Sequence, residues 1–156
     1  MVKLPSKDQL LDACTGTGLL DHPVLHDACE LARLHATRRA DDVHGADETD
    51  CARAELVYHI DRWVTTHMPR PIGAAYLHSE SVGMIVDRFA EYCVAALAAL
   101  EDDATELHRH FLWQRLGELA VAYTDLAVEI TAGLRKLPNL VYPPPDHDQM
   151  RAGASR

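Results

Sequence analysis

His78, Glu80, Asp87 and Arg88 are the residues of this chain best spaced to do chemistry together. Glu80 and Asp87 are seven apart, so on one helix they share a face to within about 20°. Glu91 extends that line, and His78 lies just before it, within reach of the same groove. A histidine and two carboxylates converging in this way suit a divalent cation or general acid–base work. His35 and His108, from other helices, are candidate additional metal ligands. The competing reading is structural and is the stronger of the two. Glu80 near a helix start complements the free N–H groups and the macrodipole. Asp87 can pair with an arginine from a neighbouring helix and fix its register. A divalent metal is therefore the less favoured reading, and the chemistry points to no particular reaction.

Other catalytic patterns are missing. No Ser/His/Asp set or Cys/His nucleophile pattern occurs, and Thr15-Gly16-Thr17-Gly18 lacks the lysine and the length of a phosphate loop. The four cysteines, at 14, 29, 51 and 93, form no C-x-x-C pair, and Cys29 and Cys93 fall inside apolar helical faces. His108 and His110 are two apart and point away from each other on a helix.

The elements that must position these residues are helical. A short helix fits 7–14, ended by the Thr-Gly-Thr-Gly run, within a leader over residues 1–20. A first main helix fits 22–40, with Asp21 as N-cap, Pro23 in the first turn, and Leu25, Ala28, Ala32 and His35 on one stripe. Residues 41–47 are an acidic loop. A second helix fits 48–67, burying Leu56, Ile60 and Trp63 and ending at Pro69. The stretch 68–73, with two prolines and a glycine, is a turn or extended crossing. A third helix fits 79–101 on Val82, Val86, Phe89, Cys93, Ala96 and Leu100. A fourth fits 104–136, capped by Asp103, on the series Leu112, Leu116, Leu119, Tyr123, Leu126, Ile130, Gly133 and Leu137. The short link between the last two makes them antiparallel neighbours. The chain thus reads as an all-α antiparallel bundle of about four main helices over 21–138. The short N-terminal helix precedes it, and a Pro-rich tail over 139–156 reads as disordered.

Length and charge narrow the function classes. A chain of 156 residues is one domain's worth and needs no metal or disulfide to fold. The formal charge of −9 repels phosphate backbones, so no nucleic-acid partner is expected. No membrane partner is expected either. The longest apolar stretch, 89–100, falls well short of the roughly 20 residues a span needs, and the N-terminal residues lack an apolar signal segment. A cytoplasmic location is the expectation. Protonating all ten histidines would move the charge from −9 to +1, which makes a pH-responsive surface a third idea.

The stretch His78-Ser79-Glu80-Ser81-Val82-Gly83 through Val86-Asp87-Arg88 resembles the S-E-T-P-G…I-D-R signature of an uncharacterised bacterial family, domain of unknown function 4254. The likeness continues in Glu106-Leu107-His108, Leu116–Leu119, Asp125-Leu126 and Gly133, and covers about residues 22–138. Where many members have Thr-Pro this chain has Ser81-Val82, and Leu31–Thr37 lacks the acidic pair of their W-x-x-E-D pattern. The resemblance implies a helical fold and points to Glu80, Asp87 and Arg88; it implies no reaction.

Two functional readings follow. The first is a self-associating or partner-binding helical module, motivated by the long seam of the fourth helix and the lack of a complete catalytic set. The alternative is a metal-dependent or acid–base enzyme with its site at the N-terminal half of the third main helix.

Overall fold

Apolar residues spaced three and four apart fold most of the chain into helices. The computed structural model describes residues 2–40 and 46–139. They form α1 (Lys7–Thr15), α2 (Pro23–Ala40), α3 (Ala46–His67), β1 (Tyr76–Leu77), α4 (Val82–Glu101), α5 (Glu106–Thr131) and β2 (Arg135–Lys136). Of the acidic loop expected over 41–47, residues 41–45 lie outside the described residues and 46–47 instead open α3; the Pro-rich tail from 140 also lies outside the described residues. No helix of the described residues is long and apolar enough to cross a membrane.

The chain is the all-α bundle its periodicity predicts, and α4 is its hub. Val82, Val86, Phe89, Cys93 and Ala96 are all buried, and α4 packs against α1, α2, α3 and α5. α2 adds Leu25, Ala28, Leu31 and Ala32 to the core, and α3 adds Ile60 and Val64. α1 joins the same core through Leu10, Ala13 and Cys14. It is held from the other end of the chain as well, because the buried Tyr123 hydroxyl of α5 donates to the Pro5 carbonyl at 2.7 Å. Burial pushes that phenol well above its ordinary range.

Local chemistry sets the helix ends, and several differ from the sequence-based boundaries. His22, not Asp21, caps α2. Its Nδ1 accepts from the Val24 N–H at 3.1 Å, its carbonyl accepts from the His26 N–H, and its Nε2–H is left to donate to the Lys3 carbonyl. The third main helix starts at Val82 rather than 79, because the Ser81 hydroxyl accepts from the Met84 N–H and makes Ser81 the N-cap. Thr105, not Asp103, caps α5 by accepting from the His108 N–H.

The largest difference is at the end of α5. The apolar series runs on to Leu137, but the helix stops at Thr131. Gly133 takes φ +72°, its N–H donates to the Ile130 carbonyl, and the Leu134 N–H reaches back to the Glu129 carbonyl. That pair of bonds closes the helix with a left-handed glycine. The chain then runs extended, and β2 pairs in parallel with β1, Tyr76 opposite Arg135 and Leu77 opposite Lys136. Together with the Ile72 N–H donating to the Gly133 carbonyl, this ties the proline-rich crossing to the foot of α5.

Candidate functional site

Asp87 lies near the start of α4, with its side chain only 15% exposed. Two other helices converge on it. From α2, Nε2 of the buried His35 is 2.8 Å from Oδ1. A carboxylate only accepts, so Nε2 carries the proton and donates. From α3, the Arg53 guanidinium donates through Nε to Oδ1 at 3.1 Å and through a terminal nitrogen to Oδ2 at 2.5 Å. This is the two-pronged arginine–carboxylate geometry. Burial works against the Asp87 carboxylate, but His35 and Arg53 outweigh it and hold the group below its ordinary range. Bonding to Asp87 in turn raises the Arg53 guanidinium. Arg53 also bonds Asp50, which Arg38 of α2 reaches. These outer pairs are exposed and add little.

One turn before Asp87, α4 and α3 come into close contact. Gly83 is buried, and a Cβ there would collide with the Val57 carbonyl oxygen and stand 2.8 Å from Asp61 Oδ1. Asp61 of α3 uses that approach. Its Oδ1 accepts from the Gly83 N–H at 2.7 Å, and its carboxylate also bonds the Ser81 side chain. A neighbouring helix thereby satisfies a first-turn donor of α4. Burial pushes the Asp61 carboxyl above its ordinary range despite both bonds. Its ionised form is therefore a cost that grows as pH rises through the usual carboxylate range. Asp61→Asn is expected to change stability by less than about 1 kcal/mol at pH 7, since an amide oxygen still accepts from Gly83. Asp61→Ala strands two donors and should cost about 1–3 kcal/mol. Urea unfolding of the two variants checks this.

The remaining candidates are distributed differently. Glu80 precedes the N-cap and so is not on the α4 face that carries Asp87; it pairs with Arg88 instead. His78 follows β1, where its N–H donates to the Lys136 carbonyl at 2.7 Å and its Nδ1 accepts from the Glu80 N–H. His108 is exposed on the first turn of α5. Arg109 beside it donates to the Ala99 carbonyl, which puts that turn about three helical turns along α4 from Asp87. The structure thus joins His35 to Asp87 and Glu80 to Arg88, with His78 against the Glu80 backbone. Among the described residues, no three His, Cys, Asp or Glu side chains are grouped to hold a metal ion. Arg53 escaped the sequence reading, and Asp61, in the family-compatible segment Ile60-Asp61-Arg62, was given no role by it. Arg53 was within reach of it, because 53, 56 and 60 continue the buried stripe of α3 by one turn.

A second surface stands out on α5. Its seam of Leu116, Tyr123, Leu126 and Ile130 is buried within the bundle, where α5 meets α4 and α1. The opposite side is also apolar. Leu107 (80% exposed), Phe111 (52%), Val121 (58%) and Val128 (65%) fall on one outer face with Gln114, Glu118 and Asp125. The spacing 107, 111, 114, 118, 121, 125, 128 alternates four and three. Gly117 leaves a shallow depression on this face, bordered by Gln114, Glu118, Val121, Ala122 and Asp125. Gln114 bonds Glu118 along its edge, and Arg115 lies over the Tyr92 ring at 4.0 Å and the Phe111 ring at 5.5 Å.

No curated protein and no solved structure matches the chain. A family model does, that of the proteins of unknown function called DUF4254, and it matches residues 27–139. That span begins within α2, takes in the His35–Arg53–Asp87 cluster and the Ser81–Gly83 cap, and ends just after β2. This chain therefore belongs to the DUF4254 family.

Proposed function

We propose that this protein is an association module whose docking surface is the outer face of α5. One observation carries the reading: α5 exposes Leu107, Phe111, Val121 and Val128 on the side opposite the seam that the bundle covers. A surface helix of a single domain ordinarily carries one apolar stripe with polar residues opposite. Large apolar side chains left exposed along one helix face, here with Gln114, Glu118 and Asp125 between them, support contact with another protein. The His35–Arg53–Asp87 cluster and the Ser81–Gly83 cap belong, in this reading, to the scaffold that holds α4 and hence α5. The same reading puts the protein in a reducing, cytoplasmic compartment, consistent with the free thiols of Cys14, Cys29, Cys51 and Cys93. The charge of −9 goes with a protein partner rather than a nucleic acid.

Light scattering on the purified full chain tests it. The expected mass exceeds one chain, and Val121→Asp, an exposed substitution, abolishes the excess with helical content unchanged. A wild-type chain that is strictly monomeric and carries no stoichiometric copurifying polypeptide contradicts the proposal.

A second reading rests on the His35–Asp87 contact, a histidine–carboxylate pair of the kind used in acid–base and metal chemistry. It places the site at the N-terminal half of α4, on His35 and Asp87, with the Glu80–Arg88 pair and His78 nearby; His108 lies too far along α4 to join it. Metal analysis of the purified protein beside a Glu80→Ala/Asp87→Ala variant tests the metal form. Stoichiometric metal lost in the variant supports it, and metal-free wild type removes it.

A further inference from the structure

We propose that His22 is a pH-sensitive latch: its neutral ring ties the N-terminal segment to the start of α2 and the end of α3, and protonation of the ring releases that segment. Both ring nitrogens are committed. Nδ1 accepts from the Val24 N–H at 3.1 Å and so caps α2, and Nε2 stands 3.2 Å from the Lys3 carbonyl oxygen. An acceptor at Nδ1 and a donor at Nε2 define one species, the neutral Nε2–H tautomer. The ring also meets the Trp63 indole of α3 at an angle, with centroids 4.5 Å apart, and Trp63 stacks on His67 at 4.6 Å. One half-buried side chain thus touches three separate parts of the chain.

A second proton has only Nδ1 to go to. There it sets donor against donor, since the Val24 N–H points at the same nitrogen. The Val24 N–H loses its partner, and the ring swings toward water, leaving the Lys3 carbonyl and Trp63. Ser, Thr and Asn caps keep their acceptor at every pH near neutrality; a histidine cap does not. The release is local. Tyr123 still holds the Pro5 carbonyl, and Leu10, Ala13 and Cys14 keep α1 in the core. What opens is the segment ahead of Pro5, with the partly buried Leu4, and the first turn of α2. The groups facing the ring set where this happens. Burial holds His22 below its ordinary titration range and His67 of α3 adds to that, while the Lys3 carbonyl and Asp21 pull the other way. The latch is therefore shut above about pH 6.5, the value of an unfolded histidine, and opens as pH falls from there through the lower folded one.

Nuclear magnetic resonance on the full chain between about pH 7.5 and pH 5 tests the latch. The ring-nitrogen shifts of His22 are followed beside hydrogen exchange of the Val24 and Phe89 amides, corrected for the intrinsic effect of pH on exchange. His22→Asn is measured alongside, because asparagine keeps a side-chain acceptor for the cap but does not titrate. The expected result is the Nε2–H tautomer at the upper pH. Val24 protection then falls in step with His22 protonation, by up to about tenfold per pH unit for a single group, while Phe89 in the middle of the core keeps its protection. In His22→Asn the Val24 protection stays constant. An Nδ1–H tautomer overturns the proposal, as does Val24 protection that is unchanged while His22 titrates. So does a His22→Asn protein that loses Val24 protection as wild type does. An equal loss at Phe89 overturns it too, since the opening is then global.

Discussion

Asp87→Asn is expected to destabilise the protein by about 3 kcal/mol at pH 7, with the deficit shrinking as the pH falls below about 4. The amide matches the carboxylate in shape but carries no charge. It cannot accept from His35 on one oxygen while gripping Arg53 with both. Removing one partner of a buried pair typically costs 3–5 kcal/mol, chiefly by stranding the other charge. The low end applies here because Arg53 keeps Asp50 and its side chain is 23% exposed. The pH dependence follows from the lowered Asp87 carboxyl. A group held below its unfolded value contributes stability that is present above that value, near 3.9 for aspartate, and lost as pH falls through the folded one. Wild type therefore loses its advantage in acid, while the asparagine variant has none to lose. Urea unfolding of both proteins at pH 7 and pH 3 measures the difference. An unchanged deficit at pH 3 would mean that the cost comes from packing rather than from the Asp87 charge.

Gly83→Ala should be nearly as costly, and against the usual sign. In an ordinary helix interior alanine is favoured over glycine by about 1 kcal/mol. At position 83 the new methyl meets the Val57 backbone carbonyl, which no rotamer change can move aside. α3 and α4 must separate, and the Asp61 bond to the Gly83 N–H lengthens with them. Overpacking of this kind costs about 1–3 kcal/mol, and the lost bond adds to it. Gly117→Ala is the internal control. It is also a helical glycine, but open space surrounds it, so the same substitution should stabilise the single chain by about 0.5–1 kcal/mol. Thermal unfolding of the two variants should move in opposite directions. Equal shifts would indicate that propensity, not the α3–α4 contact, governs position 83.

These substitutions fall in the stretch that the sequence singles out, and they show how much of it was legible there. The apolar stripe of α4 is plain because Val82, Val86, Phe89, Cys93 and Ala96 repeat with the helical period, and each is buried. An ion pair for Asp87 was expected from an arginine on another helix, and Arg53 supplies it. Its second partner was less visible, because His35 reads first as one member of the α2 stripe. Gly83 stands in the family-like stretch, but its contact with Asp61 was opaque. Neither breaks a pattern in the chain, and their meaning lies in a contact between residues 22 apart. The pairing of Glu80 with Asp87 on one face failed because Ser81 caps the helix and leaves Glu80 outside it. The overlong fourth helix failed for a related reason. Gly133 and Leu137 continue the four-three spacing, and that spacing does not register a glycine taking a left-handed conformation. The outer face of α5 was hidden by its polar members, since Gln114, Glu118 and Asp125 interrupt the run from Leu107 to Val128. The less interrupted apolar series is the seam through Leu116 and Tyr123, which the bundle itself covers.

The molecule divides in two: the start of α4 locks the helices together, and the outer face of α5 is the proposed docking surface. Sedimentation equilibrium of the full-length protein beside Val121→Asp tests that division most directly. The predicted result is a wild-type mass above the 17.3 kDa of one chain, and a Val121→Asp protein that stays at one chain mass with its helical content and thermal midpoint at low concentration unchanged. A wild-type protein that remains at one chain mass with no second polypeptide, or a Val121→Asp protein that associates as wild type does, would contradict it.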